Sequence, residues 1–97
     1  MNHFVYILIL NSSKSFYIGE TEDMEQRLVQ HNAHFFKNSY TQKHSDWEIY
    51  HLIHCENRTQ ARKIEHHIKK MKSRKYIENL KQYPEITVRL LEKFHVI

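Results

Sequence analysis

The sequence predicts an α+β fold, a small three-stranded antiparallel sheet flanked by helices. Three observations predict it. Apolar, strand-like runs stand at 3–10, 15–19 and 47–55. A short turn-forming cluster, Asn11-Ser12-Ser13-Lys14, joins the first two runs, which therefore make a β-hairpin. Helical spacing of apolar residues fills the stretches on either side of the third run.

The elements follow in chain order. The run HFVYILIL (3–10) is apolar and partly β-branched, and SFYIG (15–19) is its partner. Asp23, with Gln26 three residues on, reads as a capping box. Met24, Leu28 and His31 then mark one face of a helix that ends near Asn32. Residues 33–46 read as a loop carrying Phe35 and Phe36. The strand WEIYHLIHC (47–55) places Trp47, Ile49, His51, Ile53 and Cys55 on one face by simple alternation. Asn57 or Thr59 caps a long helix with the stripe Ala61, Ile64, Ile68 and Met71. Ser73 opens another helix, carrying Ile77 and Leu80 and stopped by Pro84. The tail 85–97 reads two ways: Ile86 and Val88 suit a strand, Leu90, Leu91 and Phe94 a helix.

The chain of 97 residues is expected to be one domain, 1–97, with one core and one site. A single Gly and a single Pro exclude the glycine-rich dinucleotide and P-loop fingerprints. One cysteine, Cys55, excludes an intramolecular disulfide and a thiolate zinc cluster, and fits a reducing compartment. The run 4–10 is far short of the ~20 residues that cross a bilayer, and no basic segment precedes it. These features predict a soluble, cytoplasmic protein without a membrane partner or small-molecule cofactor, either a monomer or a weak homodimer.

Charge is strongly divided. Residues 1–57 hold four bases and seven acids, a net of −3; residues 58–97 hold eleven bases and four acids, a net of +7. Within Arg58–Lys75 there are eight bases and one acid, Glu65. Such a block is the footprint of a polyanion partner, nucleic acid before an acidic membrane, or else a solvated helix face. Arg62, Lys63, Lys69 and Lys70 point away from the apolar stripe and are the candidate phosphate contacts, with Lys43 in the loop. Tyr40, beside Lys43, is a further candidate for touching nucleic acid.

Three constellations can carry chemistry. Tyr6 and Tyr17 share a sheet face if the hairpin loop is even, as a site or as an aromatic cross-strand pair. Arg27 and His31, one helical turn apart, stack on the face holding Met24 and Leu28. A guanidinium there needs an anion, either a phosphate or an internal carboxylate. Glu65 lies about 80° from the centre of its helix stripe, on the border of core and solvent. It is either an ion-pair partner of Lys69 or a ligand for a water-rich ion such as Mg²⁺. The nine histidines include His51 with His54 and the adjacent His66 and His67, but neither spacing is that of a common zinc motif.

In this order these residues resemble a known family. Phe4-Val5-Tyr6, Tyr17-Ile18-Gly19, Arg27 eight residues past the glycine, His31-Asn32, and Glu65 in a basic helix are similar to the GIY-YIG nuclease domain. The likeness runs over about 4–80, and GETEDMEQRLVQHN and ARKIEHHIKKMKSRK resemble the small single-domain bacterial members related to the excision-repair nuclease subunit. The resemblance implies an endonuclease that hydrolyses DNA phosphodiester bonds with one Mg²⁺ or Mn²⁺, structure-selective in repair or recombination. Its substrate would be DNA, with RNA the alternative. It implies Tyr6, Tyr17, Arg27, His31 and Glu65 as catalytic residues, with Glu65 the metal ligand. One of the two tyrosines, its phenol acidified by the metal's field and hydrogen-bonded to His31, would take the proton of the attacking water. Two positions depart from the pattern: Phe4 stands at the first motif's glycine, and Glu20 where many relatives have lysine. They leave a second reading, a nucleic-acid-binding module of the same fold with weak or no turnover. A third is a protein-interaction domain whose basic helix meets an acidic partner.

Overall fold

The computed structural model describes residues 3–33 and 46–96. Its elements are β1 (His3–Leu10), β2 (Phe16–Thr21), α1 (Met24–Asn32), β3 (Trp47–Cys55), α2 (Arg58–Met71), α3 (Arg74–Gln82) and α4 (Pro84–Lys93). The sheet order is β2-β1-β3, both pairings antiparallel. β1 is almost wholly apolar because it is central and covered on both faces. Val5 and Ile7 meet Ala61, Ile64 and Ile68 of α2, together with Ile77 and Leu80 of α3. Tyr6, Leu8 and Leu10 form a second cluster with Met24 of α1 and Trp47.

The hairpin closes where the turn chemistry predicts. Lys14 N–H donates to Leu10 O (2.7 Å) and Leu10 N–H to Ser15 O (2.9 Å). Lys14 takes the left-handed conformation, φ 59°, that turns the chain back. β2 extends beyond the expected 15–19 to include Glu20 and Thr21, which pair with Val5 and Phe4.

One expectation about β3 fails for a physical reason. A register shift between Ile7 and Leu8 sets His51 opposite Ile7 but Ile49 opposite Leu8, so Tyr50 is the extra residue of a bulge. The bulge reverses the alternation. His51, Ile53 and Cys55 stay on the α2 face, whereas Trp47 and Ile49 fall on the α1 face. Trp47 is thereby buried beside Tyr6 and Leu8, while Ile49 is exposed.

Side-chain caps start three helices. Asp23 accepts from Gln26 N–H, Asn57 from Gln60 N–H and Ser73 from Tyr76 N–H. Met71, expected on the α2 stripe, is exposed at the helix's last residue. The ambiguous tail is helical. Pro84 ends α3 and also occupies the first turn of α4, where its missing N–H costs nothing. Tyr83 between them is extended, as the residue before proline prefers. α4 is anchored by Leu90 in the core and by Gln60, whose Nε2 donates to Leu91 O (2.9 Å). Among the described residues no helix is long and apolar enough to cross a membrane.

Candidate active site

The site grows from the hairpin. Tyr6 lies opposite Gly19, and Tyr17 opposite Leu8, so the two phenols share the α1 face diagonally rather than face to face. The Tyr6 ring lies across Gly19, and a Cβ at that position would overlap the phenol. Gly19 is thus needed for close approach, not for an unusual φ. The two tyrosine rings stack with centroids 6.3 Å apart.

α1 brings the next two groups. The Tyr6 hydroxyl and His31 Nε2 are hydrogen-bonded at 2.9 Å, both side chains being 1% exposed. Arg27 also hydrogen-bonds to Tyr6. The Tyr17 ring packs edge-on against His31 (4.9 Å) and Trp47 (6.4 Å). α1 is fastened to β3 by the Asn32 amide, which donates to Trp47 O (3.0 Å) and accepts from Trp47 N–H (2.9 Å). Asn32 enters the sequence pattern only as the residue after His31; its strand-like docking has no local signature.

Burial keeps Tyr6 and His31 neutral beside the charged Arg27. Burial, then the Tyr17 phenol, pushes the Tyr6 phenol well above the usual tyrosine range, and Glu65 adds to the rise against the lowering effect of Arg27. Burial, with Arg27 adding to it, pushes His31 down to about 4. Both groups therefore rest uncharged at neutral pH. The His31 shift predicts acid lability. Between pH 6.5 and 4 the unfolded chain binds a proton at His31 that the folded chain refuses, so stability falls as pH falls through that window. The loss is about 1.4 kcal/mol per pH unit, or on the order of 3 kcal/mol by pH 4. His51 and His67, also held low by burial, act in the same direction. Urea midpoints measured from pH 7 to 4.5 should decline, and His31→Gln should flatten that decline. A constant midpoint down to pH 5 would contradict the shift.

Glu65 sits on the flank of α2 that faces this cluster, near enough to raise the Tyr6 phenol. Its side chain is 19% exposed and accepts a hydrogen bond from Lys69 Nζ. The border position and the ion pair were both legible from the helix wheel, and both are present. Among the described residues no three His, Cys, Asp or Glu side chains converge as a metal cage. The donor set fits an ion bound by one carboxylate and otherwise by water, as Mg²⁺ accepts.

At the rim Glu20 and Arg27 are joined by His3 and Arg58, which the sequence did not single out. Glu20 Oε2 is 2.7 Å from His3 Nε2 and 3.8 Å from Arg58 Nε. With Thr21, Glu22 and Arg27 they line a cavity of about 220 Å³. The departing Glu20 is thus not a lone negative charge. Phe4, the other departure, stacks on His54 with ring centroids 5.0 Å apart. Arg62, Lys63, Lys69 and Lys70 are exposed as expected, whereas Lys43 and Tyr40 lie outside the described residues. Cys55 is buried, and burial pushes its thiol up to about 11, the character of a structural cysteine.

Comparison with known proteins decides the family. The GIY-YIG catalytic domain matches residues 2–78. The chain belongs to the GIY-YIG family. A UPF0213 protein of Syntrophus aciditrophicus (strain SB) is 34% identical to this GIY-YIG chain over 83 residues, covering 86% of this chain and 94% of the relative. The solution NMR structure of a UPF0213 protein from Bacillus halodurans matches with a TM-score of 0.51 at 30% identity, over 82% of each chain. The expected α+β fold and the resemblance to this nuclease family are both borne out. Helix α4 lies past the matched stretch.

Proposed function

We propose that this GIY-YIG domain is a divalent-metal-dependent endonuclease that cuts DNA phosphodiester bonds in the cytoplasm, selecting structured substrates of repair or recombination. The reading rests on one observation: two phenols, a neutral imidazole and a guanidinium gathered on one sheet face, with the lone acid of the basic helix beside them. A pure binding surface has no use for a carboxylate among bases, nor for a buried neutral Tyr–His pair.

Each side chain has a task its surroundings suit. Arg27 offers a planar fork of donors to the equatorial oxygens, where charge develops. Tyr6, buried and neutral, holds its hydroxyl at a fixed place between Arg27 and His31, and serves as a hydrogen-bonding group rather than a base. Tyr17 is the less buried phenol; as the phenolate, its own proton given up to solvent, it would take the proton of an attacking water. His31 orients Tyr6 and Tyr17 together through one hydrogen bond and one ring edge. Glu65 would hold Mg²⁺ or Mn²⁺, which when bound polarises the phosphoryl oxygen and stabilises the leaving oxygen. Pairing of Glu20 with His3 and Arg58 favours turnover over the inactive-module reading, because no uncompensated acid confronts the phosphate.

The test is incubation of the purified chain with single-stranded, duplex, flap and branched DNA, with Mg²⁺, Mn²⁺ or EDTA. Cleavage of at least one branched or flapped substrate with either ion, and none in EDTA, is expected. Binding without cleavage under every condition would replace the enzyme by the binding module.

A further inference from the structure

The exposed bases of α2 do not act as one patch. Lys69 turns to Glu65, on the flank facing Tyr6. Arg62, Lys63 and Lys70 instead line a separate cleft of about 450 Å³, shared with His66, His67 and Phe94. Phe94 follows α4 directly, so the cleft lies between α2 and the end of the tail helix.

The interior of this cleft is aromatic. The His67 ring lies 5.5 Å from Phe94 and 5.9 Å from Tyr76, whose hydroxyl is 3.3 Å from His67 Nε2. Lys93 Nζ stands 5.4 Å from the centre of the Phe94 ring. Cations therefore converge on a ring-lined floor, and Lys93 and Lys70 add to the burial that holds His67 below the usual histidine range. A stacking surface under a basic rim is the chemistry that holds unpaired nucleotides: the base lies on a ring and the phosphates meet lysine and arginine. A base inside a duplex is stacked on both faces and cannot enter. An acidic peptide would satisfy the bases but leave the rings unused. The volume suits one small aromatic group with its phosphate, within the usual ~300–1,000 Å³ of ligand clefts.

We propose that the cleft between α2 and α4 binds an unpaired nucleotide of a DNA strand, its base on Phe94 and His67 and its phosphates on Arg62, Lys63 and Lys70. This rests on the nucleic-acid reading above and deepens it. The cleft would give the domain a grip on a single-stranded branch away from the scissile phosphate.

Fluorescence anisotropy in EDTA tests it, with a labelled oligothymidylate of about twelve nucleotides and a blunt duplex of equal length. Phe94→Leu keeps the apolar bulk but removes the ring. It should weaken single-strand binding about tenfold and leave duplex binding within about twofold, while Phe94→Tyr restores it. The exposed pair Lys63→Gln with Lys70→Gln, which does not threaten the core, should cost more affinity for the single strand than for the duplex. Equal losses on both probes in the lysine variant, or unchanged single-strand affinity in a folded Phe94→Leu protein, would overturn the cleft alone. Displacement of the oligonucleotide by micromolar thymidine monophosphate would assign the cleft to a free nucleotide and overturn the strand. Failure of the parent chain to bind either probe would overturn the nucleic-acid reading along with the cleft.

Discussion

Arg27→Ala should lower the rate of DNA cleavage at saturating substrate by about 10²–10³-fold, some 3–4 kcal/mol of transition-state stabilisation. DNA affinity should change far less, because the bases of α2 supply most of the attraction to the backbone. Arg27→Lys should not restore the rate, since an ammonium lacks the planar fork that spans two phosphoryl oxygens. The surroundings of Arg27 provide an independent readout. Its charge adds to the burial that pushes His31 down to about 4. In Arg27→Ala His31 should therefore titrate at a higher pH, visible as a moved imidazole resonance in an NMR pH series. Tyr6 remains neutral at pH 7 either way, because burial is its largest influence. A variant that keeps its fold, moves the His31 titration and still cleaves at the parental rate would remove Arg27 from the chemistry.

The same cluster marks how far the sequence could be read. β1 and β3 were legible residue for residue, because a central strand covered on both faces must be apolar throughout, and a strand packed on helices shows where its hydrophobicity ends. The bulge at Tyr50 was not legible. Whether a strand carries one residue too many depends on its partner's register, which no local window contains. Its effect was large, moving Trp47 from the α2 face to a position against Tyr17. The tail 85–97 was ambiguous for a different reason: Ile86 and Val88 suit a strand and Leu90, Leu91 and Phe94 a helix, and the packing of Leu90 in the core goes with the helix.

Of the site, the spacing of Arg27 and His31 on α1 and the border angle of Glu65 on α2 were legible, because helix geometry fixes them. The family likeness led us to expect a hydrogen bond between His31 and one of the two tyrosines, without saying which; the fold gives it to Tyr6, at 2.9 Å, and leaves Tyr17 with a ring contact to His31. Glu20 was read only as a departure from the family pattern. Its pairing with His3 and Arg58 joins the sheet edge to the first turn of α2, a contact with no trace in the linear pattern. The bases of α2 read as one patch because Phe94, which shares a cleft with Arg62, Lys63 and Lys70, closes α4, the element the sequence left undecided.

Glu65 offers the sharpest separation of a structural role from a chemical one, because its one ion-pair partner on α2 can be removed independently. Glu65→Gln keeps the shape and loses the charge. If the carboxylate holds the ion, cleavage should fall by several kcal/mol, about 10³-fold, at any practical metal concentration. Folding stability should barely move. The bond to Lys69 is an i,i+4 pair whose lysine is 50% exposed, and such pairs contribute about 0.3–0.5 kcal/mol. Removing the charge also withdraws one of the influences that raise the Tyr6 phenol, so that phenol should titrate somewhat lower in the variant. Lys69→Gln breaks the same pair but leaves the carboxylate. A merely structural pair predicts that the two substitutions act alike. A metal ligand predicts that they diverge: Glu65→Gln abolishes cleavage, and Lys69→Gln retains it with equal or tighter dependence on Mn²⁺, since the carboxylate no longer has an ammonium to displace. The measurement is a Mn²⁺ titration of cleavage rate for both variants, with thermal midpoints taken alongside. Parental cleavage by Glu65→Gln, or equal losses in the two variants, would return Glu65 to the role of a helix-surface ion pair.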